Sequence, residues 1–212
     1  AIELGGDGDA VDIPSSTSIE GALSGEEATI AFWVDLGEIS GSYNTWFPWT
    51  ATNNQGSQSA RLEHEGNGDN IYTRWIVDPA SAGFREGDGG AWSRGLPDMR
   101  GKRFLHVSTF ETTESGYRVR TYINDEIASE STSSEKAVLA EASNVGSFSP
   151  SQVPSTIDNL QIYPYALTPE KVEELHTRGT SSVGDTGGAR EGLVLSQTFN
   201  RIETCGQSDT IT

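Results

Sequence analysis

Several features are missing from this sequence, and each absence excludes a structural feature or a modification. The single cysteine, Cys205, rules out a disulfide within the chain, and it is either a buried small apolar residue or an intermolecular link. No apolar run approaches the roughly 18 residues that a transmembrane helix needs. The sequence has no Asn-x-Ser/Thr glycosylation site. It opens on strand-like residues 1–4 rather than on a signal peptide, which suggests a processed, mature protein.

Lysine is also scarce, with three lysines against eleven arginines, 31 acidic residues and a net charge of −17. A surface rich in carboxylates and poor in lysine stays hydrated when salt screens charge. The composition therefore predicts a halophilic protein, and an ordinary acidic secreted protein is the alternative. The same charge argues against a nucleic-acid partner, because contacts with phosphates need a basic face.

What the sequence has in abundance is short β-like runs separated by turn residues, with 24 glycines in 212 residues. Pro48 lies within one run and favours an edge strand or a bulge there. The pattern predicts a dozen or so strands and a two-sheet sandwich. The predicted strands are residues 1–4, 11–13, 29–34, 46–49, 61–64, 71–77, 104–110, 117–123, 127–129, 145–148 and 157–163, followed by apolar residues near 193–199.

One helix is predicted over residues 168–177. Thr168 is a suitable N-cap, Pro169 occupies the first helical position and Gly179 is expected to stop the helix. Val172 and Leu175 give this helix a narrow apolar side.

Three segments resemble laminin-G-like, concanavalin A-like lectin-glucanase jelly-roll domains. The opening residues 2–14 with 28–34 resemble the start of these domains, and residues 101–129 resemble their central hairpin. Residues 157–175, Ile-Asp-Asn-Leu-Gln-Ile-Tyr-Pro-Tyr-Ala-Leu-Thr-Pro-Glu-Lys-Val-Glu-Glu-Leu, resemble their closing strand and short helix, and this is the most specific match. The resemblance implies an all-β, two-sheet antiparallel jelly-roll sandwich with one short helix.

The first strand of the family pattern does not precede Ala1, but Gly192–Asn200 and Ser208–Thr212 resemble it. The first strand is therefore expected to be displaced to the C-terminus. The chain divides into a jelly-roll domain (1–179), a flexible linker (180–191) and a donor strand segment (192–212). The segment either folds back into its own domain, inserts into a neighbouring molecule, or begins a second domain.

Insertion into a neighbour predicts a structural subunit of an extracellular cell-surface filament involved in adhesion, which polymerises with itself head to tail by donor strand complementation. Burial of four apolar side chains of the segment at ~1.5–3 kcal/mol each would give on the order of 6–12 kcal/mol before ordering costs. The alternative is a monomeric carbohydrate-binding, lectin-like module whose tail closes its own sheet. The expected subunit-interface residues are Leu193, Val194, Leu195, Phe199 and Ile211.

No enzyme is expected. The paired carboxylates of glucanases with a related fold, Glu-x-Asp-x-x-Glu, are absent from the sequence. Glu63 and Glu65 flank His64 beside a hairpin loop, where a solvated face is the simpler interpretation. His106 lies in a predicted strand and is expected to be a packed core or edge histidine.

Two further sites are expected in the loops. Relatives that resemble this chain often bridge the first turn and the last strand with structural calcium, which implies Asp7, Gly8, Asp9 and Asp158 as ligands. Asp and Gly favour turns in any case, so plain turn chemistry is the alternative. Trp92, in a long Gly/Asp-rich stretch, is the residue expected to stack on surface glycans if the protein is a lectin.

Overall fold

A computed structural model of the chain describes residues 2–4, 10–13, 21–22, 25–36, 44–52, 58–67, 70–77, 84–85, 101–114, 116–133, 142–146, 155–180, 195–197, 203–204 and 209–210. The elements in chain order are β1 (Ile2–Leu4), β2 (Ala10–Ile13), β3 (Glu27–Leu36), β4 (Asn44–Thr52), β5 (Gln58–Asn67), β6 (Asn70–Val77), β7 (Phe84–Arg85), β8 (Arg103–Thr113), β9 (Gly116–Ile123), β10 (Glu126–Ser133), β11 (Ala142–Gly146), β12 (Ser155–Tyr163), α1 (Pro169–Thr180), β13 (Leu195–Gln197), β14 (Glu203–Thr204) and β15 (Asp209–Thr210).

The strands pair in two hydrogen-bonded sheets. Sheet I has eight strands in the order β10-β9-β8-β3-β12-β1-β14, with β13 also paired to β12, and sheet II has seven in the order β15-β2-β11-β4-β5-β6-β7. The pairs are antiparallel except for β14 with β1 and β15 with β2. The prediction of a mostly antiparallel β-protein with a short helix near residue 170 is confirmed in the described part of the chain.

The β5–β6 hairpin confirms another sequence prediction, since the two strands pair from Ala60 opposite Val77 to Asn67 opposite Asn70. Pro48 lies in β4, an inner strand between β11 and β5. The register between β4 and β5 shifts between Trp46 and Trp49. Of the two alternatives for Pro48, the bulge is therefore the one observed, because a bulge frees an inner strand from needing every backbone N–H.

Sheet I is covered on both faces where β3 and β8 lie. The alternating side chains Ile30, Phe32 and Val34 lie on one face, and each is at most 1% exposed. The residues between them are buried too, because α1 covers the opposite face. Strands buried on both faces lose the simple alternation of apolar and polar residues. The core cluster beneath the helix consists of Ala31, Trp33, Leu105, Val107, Tyr122, Tyr163, Leu167, Val172 and Leu175.

Helix α1 matches the prediction at its start and differs at its end. The backbone N–H of Lys171 donates to the Thr168 hydroxyl at 3.4 Å, as expected for an N-cap. Val172 and Leu175 form the predicted apolar side and are buried. The helix continues through Gly179 to Thr180, so the prediction that Gly179 stops it was wrong. Gly179 instead lies against Trp33, where its missing side chain allows close packing.

Buried tyrosines give the fold a pH signature. Burial raises the pKa values of Tyr117, Tyr122 and Tyr163, because a buried phenolate loses its hydration. A group whose pKa is raised by folding stabilises the fold below its unfolded pKa, near 10, and this contribution is lost as the pH rises further. We expect Tyr117 and Tyr163 to stay protonated at pH 11 in native protein, measured as phenolate absorbance near 295 nm against a denatured sample. Equal absorbance of the two samples at pH 11, with circular dichroism still native, would contradict this prediction.

Candidate docking edge for the C-terminal segment

The outer edge of β12 accepts two different parts of the chain. One side of β12 pairs with β3, and the other side pairs with β1 over Ser155–Ile157 and with β13 over Leu160–Ile162. The part that receives β13 is called the docking edge below. Leu195 lies opposite Ile162, and Gln197 lies opposite Leu160. Leu160 and Ile162 are fully buried, so the docking edge belongs to the core strand of sheet I.

The two outer neighbours of β12 run in the same direction. Both β1 and β13 are antiparallel to β12, and they follow each other along its edge. Gln197, at the end of β13, is opposite Leu160, and Ile2, at the start of β1, is opposite Ile157. Along this edge β13 and β1 therefore lie end to end, with β13 nearer the end of β12 and β1 nearer its start.

The rest of the C-terminal segment also contributes short strands. Glu203 and Thr204 of β14 pair in parallel with Ile2 and Glu3, which adds a strand outside β1. Asp209 and Thr210 of β15 pair in parallel with β2 of sheet II. The segment thus pairs its backbone with both sheets, and every one of these pairings is within a single chain.

A bulge in β12 separates the partners of β1 from those of β13. The pairing of β12 with β3 shifts register between Asp158 and Gln161. Within this bulge Asn159 has a φ of 51°, in the left-handed region. Its backbone N–H donates to the Asp158 carboxylate at 2.8 Å. The bulge keeps Ile157 and Leu160 both fully buried although three positions separate them, whereas a regular strand would place them on opposite faces.

The sequence carries a signal for this bulge that strand prediction did not use. The pattern Ile157-Asp-Asn-Leu160-Gln-Ile162 places two polar residues together and spaces the first two apolar residues by three instead of two. Asn and Asp tolerate the left-handed conformation better than other residues with a side chain. An Asp-Asn pair at a break in the alternation therefore indicates a bulge.

Two cationic or polar side chains contact Trp33 near the end of α1. The Arg103 guanidinium lies 5.1 Å from the indole centroid, and the His176 ring stacks on it at 5.9 Å. Arg103 also approaches the carboxylate of Asp158 at 3.8 Å, and Nδ1 of His176 is 3.2 Å from the carboxylate of Asp125. These contacts join α1, β3, β8, β12 and the turn before β10, so they hold the C-terminal part of α1 against sheet I.

The predicted site residues are only partly covered by the structure. Asp158 lies in the β12 bulge, and Leu195 begins β13. Among the described residues there is no group of three or more His, Cys, Asp or Glu side chains placed to hold a metal ion. The remaining predicted positions lie outside the described residues, namely Asp7, Gly8 and Asp9 for calcium, Trp92 for glycans, and Leu193, Val194, Phe199 and Ile211 for the subunit interface.

His106 lies in an inner strand and is buried. Of the two possibilities given by the sequence, a core or an edge histidine, the structure shows the core histidine. Its ring is 0% exposed and stacks on Phe32 with a centroid distance of 4.9 Å. Its Nε2 lies 2.8 Å from the Ser108 hydroxyl, at hydrogen-bonding distance. Such a buried pair, packed inside the sheet, offers no access to a substrate.

No protein-family model matches the sequence, and a comparison with curated protein sequences found no match. Among the described residues, no helix combines the length and the hydrophobicity needed to cross a bilayer.

Solved structures share the fold at low sequence identity. A heptameric SAP-like pentraxin from Limulus polyphemus is 13% identical with a TM-score of 0.54, covering 97% of this chain and 90% of the pentraxin. The binding domain of botulinum neurotoxin DC, solved with rat synaptotagmin II, is 14% identical with a TM-score of 0.59, covering 83% of this chain and 42% of that chain.

A botulinum neurotoxin type C structure, from work on the dependence of cell entry on two ganglioside molecules, is 10% identical with a TM-score of 0.51. The match covers 36% of that toxin chain. This chain therefore spans less than half the length of each of these two toxin chains. At these identities the likeness shows the fold alone. That fold is the one found in jelly-roll, lectin-like domains.

Proposed function

We propose that this protein is a structural subunit of an extracellular filament, in which residues 192–212 of one molecule complete the jelly roll of the next. The observation that carries the proposal is the pairing of Leu195–Gln197 with the docking edge on β12. In this proposal the chain is a two-sheet jelly roll whose first strand is supplied from the C-terminus. The function is assembly rather than catalysis.

Pairing within one chain supports exchange between chains for a simple reason. An identical element that is exchanged between copies makes the same contacts in both arrangements. The contacts of the segment with its own chain (in cis) are therefore also the contacts expected with a neighbouring chain (in trans). Because the donated segment and the docking edge are different surfaces of the molecule, the contact is heterologous. A heterologous contact that does not close into a ring produces an open fibre.

The choice between cis and trans depends on concentration and on salt. A linker that lets the tail reach its own edge gives an effective local concentration on the order of millimolar. Copies with a charge of −17 also repel one another at low ionic strength. At about 1 M salt the Debye length is only about 3 Å, so this repulsion is largely screened. We therefore expect polymerisation at high salt and high protein concentration, as on a crowded surface.

A cysteine pair across the docking edge tests the proposal directly. Gln161 and Ser196 are register partners, so Gln161→Cys with Ser196→Cys in a Cys205→Ser background forms a disulfide only when the tail is docked. Oxidation at molar salt and at increasing protein concentration is followed by non-reducing gel electrophoresis. We expect a ladder of covalent oligomers that lengthens with concentration, because each link joins the tail of one subunit to the edge of the next.

The matched control is Arg118→Cys with Thr132→Cys in the same background. These residues are partners within the β9–β10 hairpin, so their disulfide must form within one chain. The control is expected to run as a monomer under all conditions. If the Gln161–Ser196 pair also gives only an internal link at every concentration and salt level, the filament proposal is wrong.

An internal link would favour the second candidate, a monomeric glycan-binding module closed by its own tail. The observation in its favour is that structures with the same fold include a toxin chain discussed for its interaction with gangliosides. Trp92 is then the proposed stacking residue. Structural calcium held by Asp7, Gly8, Asp9 and Asp158, and an extracellular location, remain part of either proposal.

A further inference from the structure

We infer that Asn159 sets the register in which the C-terminal segment docks on β12. The inference rests on the proposed use of the docking edge, but it holds whether the segment comes from the same chain or from another. Asn159 is in the left-handed region at φ 51°, inside the bulge between the partners of β1 and those of β13. It is a positioning residue, since it fixes the backbone that the segment meets.

The count of residues across the bulge shows what it does. From Trp33 to Ala31 the neighbouring strand β3 advances two positions, while β12 advances three, from Asp158 to Gln161. Because of the extra residue, the side chains of Leu160 and Ile162 lie on the same face of the sheet as Ile157, and both are fully buried. Without this residue, a one-position slip would turn both of them toward the opposite face of the sheet.

The same extra residue determines which backbone groups the docking edge presents. Along a strand, successive N–H and C=O groups alternate between the two edges, so a one-residue insertion changes which groups point outward. With the bulge in place, Leu195 lies opposite Ile162 and Gln197 lies opposite Leu160. A regular β12 would offer the segment a different register.

Asparagine suits this position because of its conformation and its local contacts. Residues with a side chain rarely adopt positive φ, and a β-branched side chain is the least compatible with it. The bulge is further held by the Asn159 N–H, which donates to the Asp158 carboxylate. That carboxylate is in turn 3.8 Å from the Arg103 guanidinium. The bulge is thereby tied to β8, which lies beyond β3 in sheet I, and to Arg103, which also contacts Trp33.

The test compares three cysteine pairs in variants of the full-length chain with Cys205→Ser. Gln161→Cys is combined with Ser196→Cys for the observed register, and with Leu195→Cys or Gln197→Cys for registers slipped by one residue. Each pair is placed in chains carrying wild-type Asn159, Asn159→Gly or Asn159→Val. The control is Asn124→Val, since Asn124 also has a positive φ of 60° but lies in the β9–β10 turn, away from the docking edge.

The expected result is a change of register in Asn159→Val alone. Asparagine tolerates the left-handed conformation, whereas a β-branched valine does not, so we expect about a tenfold loss of correctly paired chains in Asn159→Val, which corresponds to about 1.4 kcal/mol. The disulfide yield at the 161–196 pair should fall about tenfold, with slipped pairs rising, whereas Asn159→Gly should keep the wild-type pattern. Asn124→Val is expected to lower stability but to keep the preference for the 161–196 pair.

Two results would overturn the inference, namely an unchanged 161–196 preference in Asn159→Val, or the same loss in Asn124→Val. Neither depends on whether the disulfide is internal or between chains, which is the readout for the filament. Failure of the register inference and failure of the filament proposal can therefore be told apart in the same set of gels.

Discussion

Gly179→Ala is expected to destabilise the fold by about 1–3 kcal/mol, the usual cost of overpacking a filled site. A Cβ at position 179 would lie 2.2–2.4 Å from ring atoms of Trp33, far inside van der Waals contact. Glycine within a helix normally costs about 1 kcal/mol relative to alanine, so helix propensity alone predicts the opposite sign. The steric term should prevail because the Trp33 ring, 6% exposed, is enclosed and has little space into which it can move.

Thermal unfolding of matched variants measures which of these two effects is larger. Gly21→Ala is the control, because a Cβ there would meet no heavy atom within 4 Å. For a chain of this size 1 kcal/mol corresponds to roughly 2–4 °C in Tm. We expect Gly179→Ala to melt several degrees below wild type and Gly21→Ala to melt within about 2 °C of it. A Gly179→Ala variant at least as stable as wild type would contradict this prediction, because it would show that the Trp33 ring can move aside at little cost in free energy.

Trp33→Leu shows whether the clash is specific. Leucine removes the indole ring that Gly179 contacts, together with the stacking of His176 and Arg103 on it. This substitution is destabilising by itself, since a large buried side chain is lost. In its presence Gly179→Ala should cost less than in the wild-type chain, and the double-mutant cycle isolates that coupling.

The local patterns in the sequence predicted the elements well where the two faces of a strand differ or where a helix has clear signals. The alternation in residues 117–121 predicts that Tyr117, Val119 and Thr121 share one face, and all three are buried, while Arg118 and Arg120 are half-buried and pair with Glu111. These patterns are local, because alternation and helix caps depend on neighbours along the chain.

The contacts between distant segments could not be predicted in this way. Gly179 looked like a helix stop, because nothing in its neighbourhood along the chain shows that Trp33 lies against it. The Asn159 bulge left a local trace, but the register of β13 opposite it is a long-range pairing. The C-terminal strand was recognised as a strand in need of a partner, and β12 as that partner is information that only the structure supplies.

Thr29→Val is expected to cost about 2–4 kcal/mol, although threonine and valine have nearly the same shape. The Thr29 side chain is 0% exposed. Its hydroxyl donates to the Tyr165 carbonyl at 2.7 Å and accepts from the Leu167 N–H at 3.0 Å. One side chain of β3 thereby satisfies two backbone groups of the segment that joins β12 to α1. Valine would remove both hydrogen bonds at once, and leaving a buried polar group unsatisfied costs about 1–3 kcal/mol.

Two control variants separate this effect from packing. Thr29→Ser retains the hydroxyl and loses one methyl group, so it should cost only about 1 kcal/mol. Thr112→Val removes a hydroxyl that lies 2.5 Å from the Glu26 carboxylate and 3.2 Å from the Glu26 carbonyl in an exposed place, where water can replace it, so its effect should lie within about 0.5 kcal/mol. Denaturant unfolding of the three variants gives the order directly. If Thr29→Val is no less stable than Thr29→Ser, the hydroxyl bridge does not hold the connection to α1, and packing of Leu167 and Val172 against sheet I must hold it instead.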